Sequence, residues 1–357
     1  MLKYLRILLL PLSLIYGLVV YLRNQLYNLG VFRSTKFDLP VIVVGNLVVG
    51  GSGKSPATEY LINLFRDRKI AVLSRGYGRK TKGFIRAGAA DTALTIGDEP
   101  LQFYHKFPQI TVAVCEDRVK GIRKLQSDHD LILLDDAFQH RSLKPGFSIL
   151  LFDFNQLNKT QFLLPAGNLR EAFSSYRRAD LLMITKVPSE TTAAELKRVK
   201  DKFDAEHAVF CSSIVYQQPV SLYDSEEFPV SVLKDKTIFL LTGIANPAPL
   251  LTYLKQLGST IVHHDYPDHY LYKFSDLQRL RDAFHAHSGK EKIILTTEKD
   301  AQRLFDVTIK ELLLNLPVFY LPIRMEIGQG KQSIFDQKLL TYVSDITRDR
   351  HLYQSKN

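Results

Sequence analysis

The segment Gly45 to Ser55, G-N-L-V-V-G-G-S-G-K-S, constrains the fold more tightly than any other part of the chain. It lies between a short apolar, β-branched run, Leu39 to Val44, and a stretch of helical character from about Ser55 to Asp67. A buried strand, a glycine-rich loop and a helix in that order form a phosphate loop. Gly50, Gly51 and Gly53 let the backbone turn so that N–H groups converge on phosphate oxygens. The helix adds the positive end of its dipole. Lys54 is placed to reach the β- and γ-phosphates of a nucleotide, and Ser55 to offer a hydroxyl to Mg²⁺. The usual G-x-x-x-x-G-K-[ST] spacing puts its first glycine where this chain has Val48, so the loop is a variant. A glycine-rich turn without a ligand is the alternative, and the flanking strand and helix weigh against it.

Short apolar strands recur: Lys69 to Leu73, Thr111 to Cys115, Leu131 to Leu134, Ser148 to Phe152 and Leu181 to Thr185. Helical segments around Pro100 to Phe107 and Arg118 to Ser127 separate several of them. This alternation predicts an α/β fold with a mostly parallel sheet covered on both faces. The length of 357 residues favours two domains. Residues 216–236, with Gln217, Gln218, Pro219 and Pro229, read as a linker. A second α/β pattern follows, with strands at Thr237 to Leu241, Thr260 to His263, Lys292 to Thr296 and Val318 to Leu321. The expected division is a membrane-associated helix at 1–25, a phosphate-loop domain at 26–215, the linker, and a smaller α/β domain at 237–347. From about Arg348 the chain is polar and reads as a loose end.

From Ile7 to Leu22 sixteen residues carry no charge, with Lys3 and Arg6 before them and Arg23 after. As a helix this run covers ~24 Å, short of a ~30 Å hydrocarbon core. Large residues at Tyr21 to Asn24 leave no site for signal-peptide cleavage. A buried core helix and a true span are the alternatives. The favoured reading is a helix lying in the cytoplasmic leaflet, with Lys3, Arg6, Arg23 and Arg33 at head-group level. The formal charge of +10 suits a phosphate or an acidic membrane surface as partner. No run of six like charges marks a nucleic-acid tail, and nucleic acid is not expected as a partner. The two cysteines, Cys115 and Cys211, fit a reducing compartment and lack metal-type spacing.

Other motifs cluster at strand ends. In D-L-I-L-L-D-D-A-F-Q-H, Asp130 to His140, a strand delivers Asp135 and Asp136 to the sheet edge beside the phosphate loop. Paired carboxylates there suit Mg²⁺, and His140 is in reach of phosphate or substrate. G-D-E-P, Gly97 to Pro100, precedes a helix; alone, its acids read as a cap. S-R-G-Y-G-R, Ser74 to Arg79, and E-D-R, Glu116 to Arg118, follow strands and open onto the same edge. Arg75, Arg79 and Arg118 would favour an anionic ligand, with a solvated basic face as the alternative. L-P-A-G-N-L-R-E, Leu164 to Glu171, is an ordered-looking loop without an evident role. A regulatory GTPase would show [NT]-K-x-D, but Thr185-Lys186-Val187-Pro188 has proline in place of the aspartate.

Together with T-G-I-A-N-P, the D-H pair at Asp268 and T-E-K-D-A, these motifs resemble the tetraacyldisaccharide 4'-kinase family of lipid A synthesis, in that family's order and over nearly the whole chain after the anchor. The resemblance implies two α/β/α domains, P-loop-type and Rossmann-like, that close on nucleotide. It implies ATP and Mg²⁺ as cofactors, a lipid-linked disaccharide as substrate, and the cytoplasmic face of the inner membrane as location, peripheral or monotopic through the N-terminal helix. Matched position by position, Ser52, Lys54 and Ser55 fall on the nucleotide and Mg²⁺ loop. Asp98 falls on the catalytic base, with Glu99 beside it, and Arg118, Asp135, Asp136 and His140 fall on active-site positions. Arg75 and Arg170 are expected at the substrate. His269 is expected to pair with Asp98, although H-H-D-Y-P-D-H-Y also offers His263 and His264.

Overall fold

The computed structural model of the chain describes residues 6–289, 291–305 and 311–354, with side chains to 350. Lys3 lies outside the described residues. Helix α1 spans Leu10–Asn28, followed by β1 (Val41–Asn46), α2 (Lys54–Leu64), β2 (Ile70–Ser74), β3 (Ile85–Arg86), α3 (Asp98–Lys106), β4 (Thr111–Val114), α4 (Arg118–Leu125), β5 (Leu131–Asp135), β6 (Phe147–Asp153), β7 (Leu181–Thr185), α5 (Ala193–Lys200) and β8 (Val209–Tyr216). The chain continues through β9 (Val220–Ser221), β10 (Thr237–Thr242), α6 (Ala248–Gln256), β11 (Thr260–Asp265), α7 (Phe274–Ala286), β12 (Lys292–Thr297), α8 (Glu298–Leu304), β13 (Val318–Leu321), β14 (Ile323–Ile327) and α9 (Gln332–Gln354).

Alternation along β1 organises the larger unit. Val41 and Val43 point into one core, Ile42 and Val44 into the other, as a strand with a side-chain period of two must when both faces are covered. The resulting nine-stranded sheet has the order β14-β8-β7-β6-β1-β5-β2-β4-β3. It is parallel except where β3 meets β4 and β14 meets β8. After β1 the chain builds outward through β2 and β4 on one side and through β6, β7 and β8 on the other. The reversal at β1 opens a crevice at the strands' carboxyl ends, where ligands bind in such sheets. Val44 is in register with Asp135, so the phosphate loop and the aspartate pair leave the sheet side by side.

A second sheet has the order β11-β10-β12-β13-β9 and is parallel except for β9. Two expected boundaries change here. The segment read as a linker supplies β9, the edge strand of this sheet. The second unit also ends earlier than residue 347, because the chain returns to the first: β14 pairs with β8, and α9 lays Phe335, Leu339 and Val343 into the core that holds Ile42 and Val44. Spacing of four residues puts those three on one helical stripe. The segment expected to be a loose end continues helix α9 to Gln354, and Arg350 donates to the Gln126 carbonyl at 3.2 Å.

Helix α1 reverses the usual arrangement of a surface helix. Its buried residues are Ser13 and Asn24, whereas Leu14, Ile15, Leu18, Val19 and Leu22 are exposed. Polar groups face the protein. Ser13 Oγ donates to the Leu163 carbonyl at 3.0 Å and accepts from Ala166 N at 2.9 Å, and Tyr16 donates to the Arg170 carbonyl at 2.8 Å. Arg6 and Arg23, expected at lipid head groups, instead donate to the carbonyls of Gly167 and Gln139, both at 2.5 Å. Pro11 sits in the first turn of α1, where a missing N–H costs nothing.

Replacing Leu339 by Ala should cost about 2–5 kcal/mol by emptying a fully buried site. The neighbouring Leu340→Ala, at an exposed position, should stay within about 0.5 kcal/mol. Chemical denaturation of the two variants checks this, and equal effects would detach α9 from the large core.

Candidate active site

The phosphate loop is braced from below. Asn46 Nδ2 donates to Ser52 Oγ at 2.7 Å, and Thr185 Oγ1 donates to the Ser52 carbonyl at 2.8 Å. Lys186 Nζ reaches the Gly51 carbonyl and lies 3.1 Å from Asp153. Thr185-Lys186 therefore holds the loop's shape, a role the sequence did not reveal. Gly50 and Gly53 take φ values of 119° and 84°, conformations that side chains resist, and an added Cβ at Gly50 would meet no atom within 4 Å. The loop's outer surface is open at that point. Lys54 and Ser55 open α2, the helix whose N-terminus follows the loop.

Asp135 and Asp136 are adjacent but unequal. Asp136, at φ 54°, accepts from Arg170 Nη1 at 2.8 and 3.0 Å and lies 3.8 Å from Lys54 Nζ. Burial opposes its charge, but Lys54 and Arg170 outweigh this and hold its pKa below the usual carboxylate range. Asp135 is buried, and its Oδ1 has no hydrogen-bond partner. Burial pushes its pKa up to about 7, with Glu99 and Asp136 adding to the rise while Lys54 and Arg118 pull against it. A buried oxygen without a partner, at the sheet edge where the phosphate loop leaves β1, fits a hard cation such as Mg²⁺, which takes oxygen ligands. Asp136 is already occupied by two cations of the protein itself.

Asp98 stands in the first turn of α3, where the helix dipole favours a negative charge. Its Oδ2 lies 2.8 Å from His269 Nδ1 and accepts from Arg303 Nε at 3.0 Å and Nη2 at 2.5 Å. Burial works against ionisation, yet the hydrogen bonds from His269 and Arg303 and the charges of Arg303 and Lys299 bring the pKa down to about 2. Lys299 Nζ sits 3.2 Å from His269 Nε2 and 3.0 Å from Glu99 Oε1. An ammonium has only donors, so Nε2 accepts and Nδ1–H points at Asp98. Gly97, at φ 95°, permits this approach: a Cβ there would lie 2.9 Å from the Tyr77 carbonyl. The Tyr77 ring lies 5.1 Å from that of His269. His263 turns away to Thr242 Oγ1 at 2.8 Å, and His264 Nε2 is buried without a partner.

The remaining expected residues divide. Arg118 is buried and donates to the carbonyls of Cys115, Glu116 and Asp136 at 3.2, 2.8 and 3.3 Å, which locks loop ends together. Arg79 pairs with Glu116 at 2.5 Å. Arg75 is exposed at the end of β2. His140 lies 3.0 Å from Ser142 Oγ, and burial followed by the Arg118 charge lowers its pKa to about 4, so it is neutral at physiological pH. Sequence reasoning missed Lys299 and Arg303. Both lie within T-E-K-D-A-Q-R, Thr297 to Arg303, and their spacing of four on α8 places them on one helix face.

The family model for tetraacyldisaccharide-1-P 4'-kinase matches residues 5–344. Tetraacyldisaccharide 4'-kinase from Bacteroides thetaiotaomicron is 42% identical, over 97% of this chain and 96% of its own length. Its counterpart from Flavobacterium johnsoniae is 41% identical, over 96% and 98%. The crystal structure of LpxK from Aquifex aeolicus in complex with ATP superposes with a TM-score of 0.76 at 31% identity, covering 95% of this chain and 99% of that one.

The isolated Asp135 makes a prediction of sign. Its folded pKa of about 7 lies above the usual ~3.9, so its charge costs stability as pH rises through that window. Without divalent cation, Asp135→Asn should leave stability unchanged near pH 4 and raise it by about 2–4 kcal/mol at pH 8. Denaturation at the two pH values checks this; a variant less stable at pH 8 would show that the carboxylate has an internal partner.

Proposed function

The chain belongs to the tetraacyldisaccharide 4'-kinase family, and from that premise we propose that it transfers the γ-phosphoryl group of ATP to the 4'-hydroxyl of a tetraacylated glucosamine disaccharide 1-phosphate, giving lipid IVA. The observation that carries this reading is the ionised Asp98, oriented by His269, at the same sheet edge as the phosphate loop.

Phosphoryl transfer asks a protein mainly for positioning and for electrostatic support of the transferring group. The loop from Gly50 to Gly53 offers backbone N–H groups, and Lys54 brings a positive charge at its end. Bound Mg²⁺ would add positive charge against the phosphate oxygens, held by Ser55 and Asp135. Asp98 takes the proton of the sugar hydroxyl as that oxygen attacks. A carboxylate of such low pKa is a weak base, so it accepts the proton late, when the new P–O bond has acidified it. His269, with Nε2 beside Lys299 and Nδ1–H at Asp98, orients that carboxylate.

The exposed apolar side of α1 would lie in the cytoplasmic leaflet of the inner membrane, which leaves the acyl chains in lipid while the head group enters the crevice. Arg6 to Asn28 is long and apolar enough to cross a bilayer. Its polar docking to residues 163–171 favours a peripheral or monotopic placement, because a spanning helix would have to leave those partners.

Transfer of labelled γ-phosphate from ATP to purified tetraacyldisaccharide 1-phosphate tests the proposal. Lys54→Ala should lose at least about 10²-fold in kcat. Asp98→Ala should lose transfer but keep ATP binding, because its role lies with the acceptor. An Asp98 variant with parental kcat would remove that residue from the chemistry.

A further inference from the structure

The loop 163–171 stands between α1 and the phosphate loop and is bonded to both. On one side α1 claims its carbonyl groups. Arg6 donates to those of Pro165 and Gly167, Ser13 to that of Leu163 and Tyr16 to that of Arg170. The Ala166 amide donates back to Ser13 Oγ. On the other side the loop pairs through its backbone with the first limb of the phosphate loop. The Arg170 amide donates to the Leu47 carbonyl at 2.7 Å, and the Val49 amide donates to the Asn168 carbonyl at 2.8 Å. Between these bonds Val48 and Leu169 form an antiparallel bridge. Val48 is the position where the usual phosphate loop has its first glycine. In this chain the limb instead runs beside 168–170 and is held from outside.

Arg170 joins three structures through one residue. Its amide meets the phosphate loop, its carbonyl accepts from the Tyr16 hydroxyl at 2.8 Å, and its guanidinium meets both oxygens of Asp136 at 2.8 and 3.0 Å. A short two-stranded pairing is marginal by itself in water and needs something packed against it. Helix α1 supplies that support at close range: a Cβ added at Gly17 would lie 2.7 Å from Leu163 Cδ1. A phosphate loop held in shape beforehand binds its ligand without the cost of ordering. We propose that Ser13 and Tyr16 are positioning residues for the nucleotide. Helix α1 is a strut that, through 163–171, holds the Leu47–Val49 limb in its ATP-binding shape and seats Arg170 on Asp136. The inference rests on the function proposed above only for ATP as the nucleotide, and takes nothing from the acceptor.

The test compares the full chain in detergent micelles with Tyr16→Phe, with Ser13→Ala/Tyr16→Phe, and with Leu18→Ala, whose side chain is exposed on the other side of α1. Thermal melting shows that each is folded; should the double variant fail to fold, Tyr16→Phe, which removes one oxygen, decides alone. In one arm the Kd for ATP with Mg²⁺ is measured with no acceptor present. Loss of one hydrogen bond should weaken ATP about three- to tenfold in Tyr16→Phe, and loss of both should weaken it further. Leu18→Ala should bind ATP as the parent does. In turnover the KM for ATP should rise while the KM for the acceptor keeps its parental value. In the other arm, amide hydrogen exchange at Val49 and Arg170 is followed without nucleotide, and should quicken about threefold or more in Tyr16→Phe. Parental ATP affinity in the folded variants overturns the proposal, as does equal weakening by Leu18→Ala. A parent that binds no ATP refutes the functional reading, and the exchange arm then decides the strut: parental exchange in Tyr16→Phe overturns it.

Discussion

Asp98 and Arg303 form the contact on which the rest of the crevice depends. The two side chains come from different helices, α3 and α8, and the residues are only 5% and 4% exposed, so their charges see little water. Such a pair is not a large net source of stability, because both ions were desolvated to form it. Breaking it is another matter, at about 3–5 kcal/mol for the ion left behind. The same guanidinium donates to Asp300 at 2.9 Å and to the carbonyls of Gly243 and Tyr270 at 3.3 and 3.2 Å. It thereby gathers T-G-I-A-N-P, the loop after His269 and the acid of G-D-E-P at one point. The presence of these distant motifs together in one sequence has its physical reason there.

A second charged joint carries the coupling to the phosphate loop. Glu59 on α2, Lys106 on α3 and Glu298 on α8 meet in a buried group, with Lys106 Nζ 2.8 Å from each carboxylate. Burial and then repulsion from Glu298 raise the pKa of Glu59 to about 7, and Lys106 only partly offsets them. Helix α2 begins at Lys54, so one short helix, α8, is joined to the phosphate-loop helix by the Lys106 that Glu298 and Glu59 share, to His269 and Glu99 by Lys299, and to Asp98 by Arg303. The nucleotide loop and the proposed base are thus tied to the same rigid element, as differential positioning in phosphoryl transfer requires.

Much of this was legible in the sequence because it rests on local signals. The strand, glycines and helix around Lys54 specify one another over neighbouring residues, and G-D-E-P and D-D-A-F-Q-H sit at strand ends that apolar runs reveal. What escaped is non-local. Lys299 lies in the noted T-E-K-D-A motif and Arg303 just beyond it, but only their approach to Asp98, some two hundred residues earlier, gives them meaning. The return of β14 and α9 to the first sheet was hidden because adjacency in sequence suggests adjacency in space; the Phe335, Leu339, Val343 stripe was the available clue. Arg6 and Arg23 flank an apolar run as lipid-facing anchors do, and the carbonyls of the 163–171 loop that claim Arg6 cannot be seen from the flanks. Thr185-Lys186 was weighed only as a base-reading motif, whereas its partners are the carbonyls of the phosphate loop.

The hold of Arg303 on Asp98 is tested most directly by the pH dependence of kcat/KM for phosphoryl transfer in the parent, Arg303→Lys and Arg303→Gln. A guanidinium beside a carboxylate depresses its pKa by about 1–3 units, so the acid limb of Arg303→Gln should move up by at least about one pH unit. Arg303→Lys should fall between the two, and ATP affinity should stay at the parental value. Superimposable acid limbs, with only a uniform loss of rate, would contradict the claim that Arg303 sets the charge of Asp98.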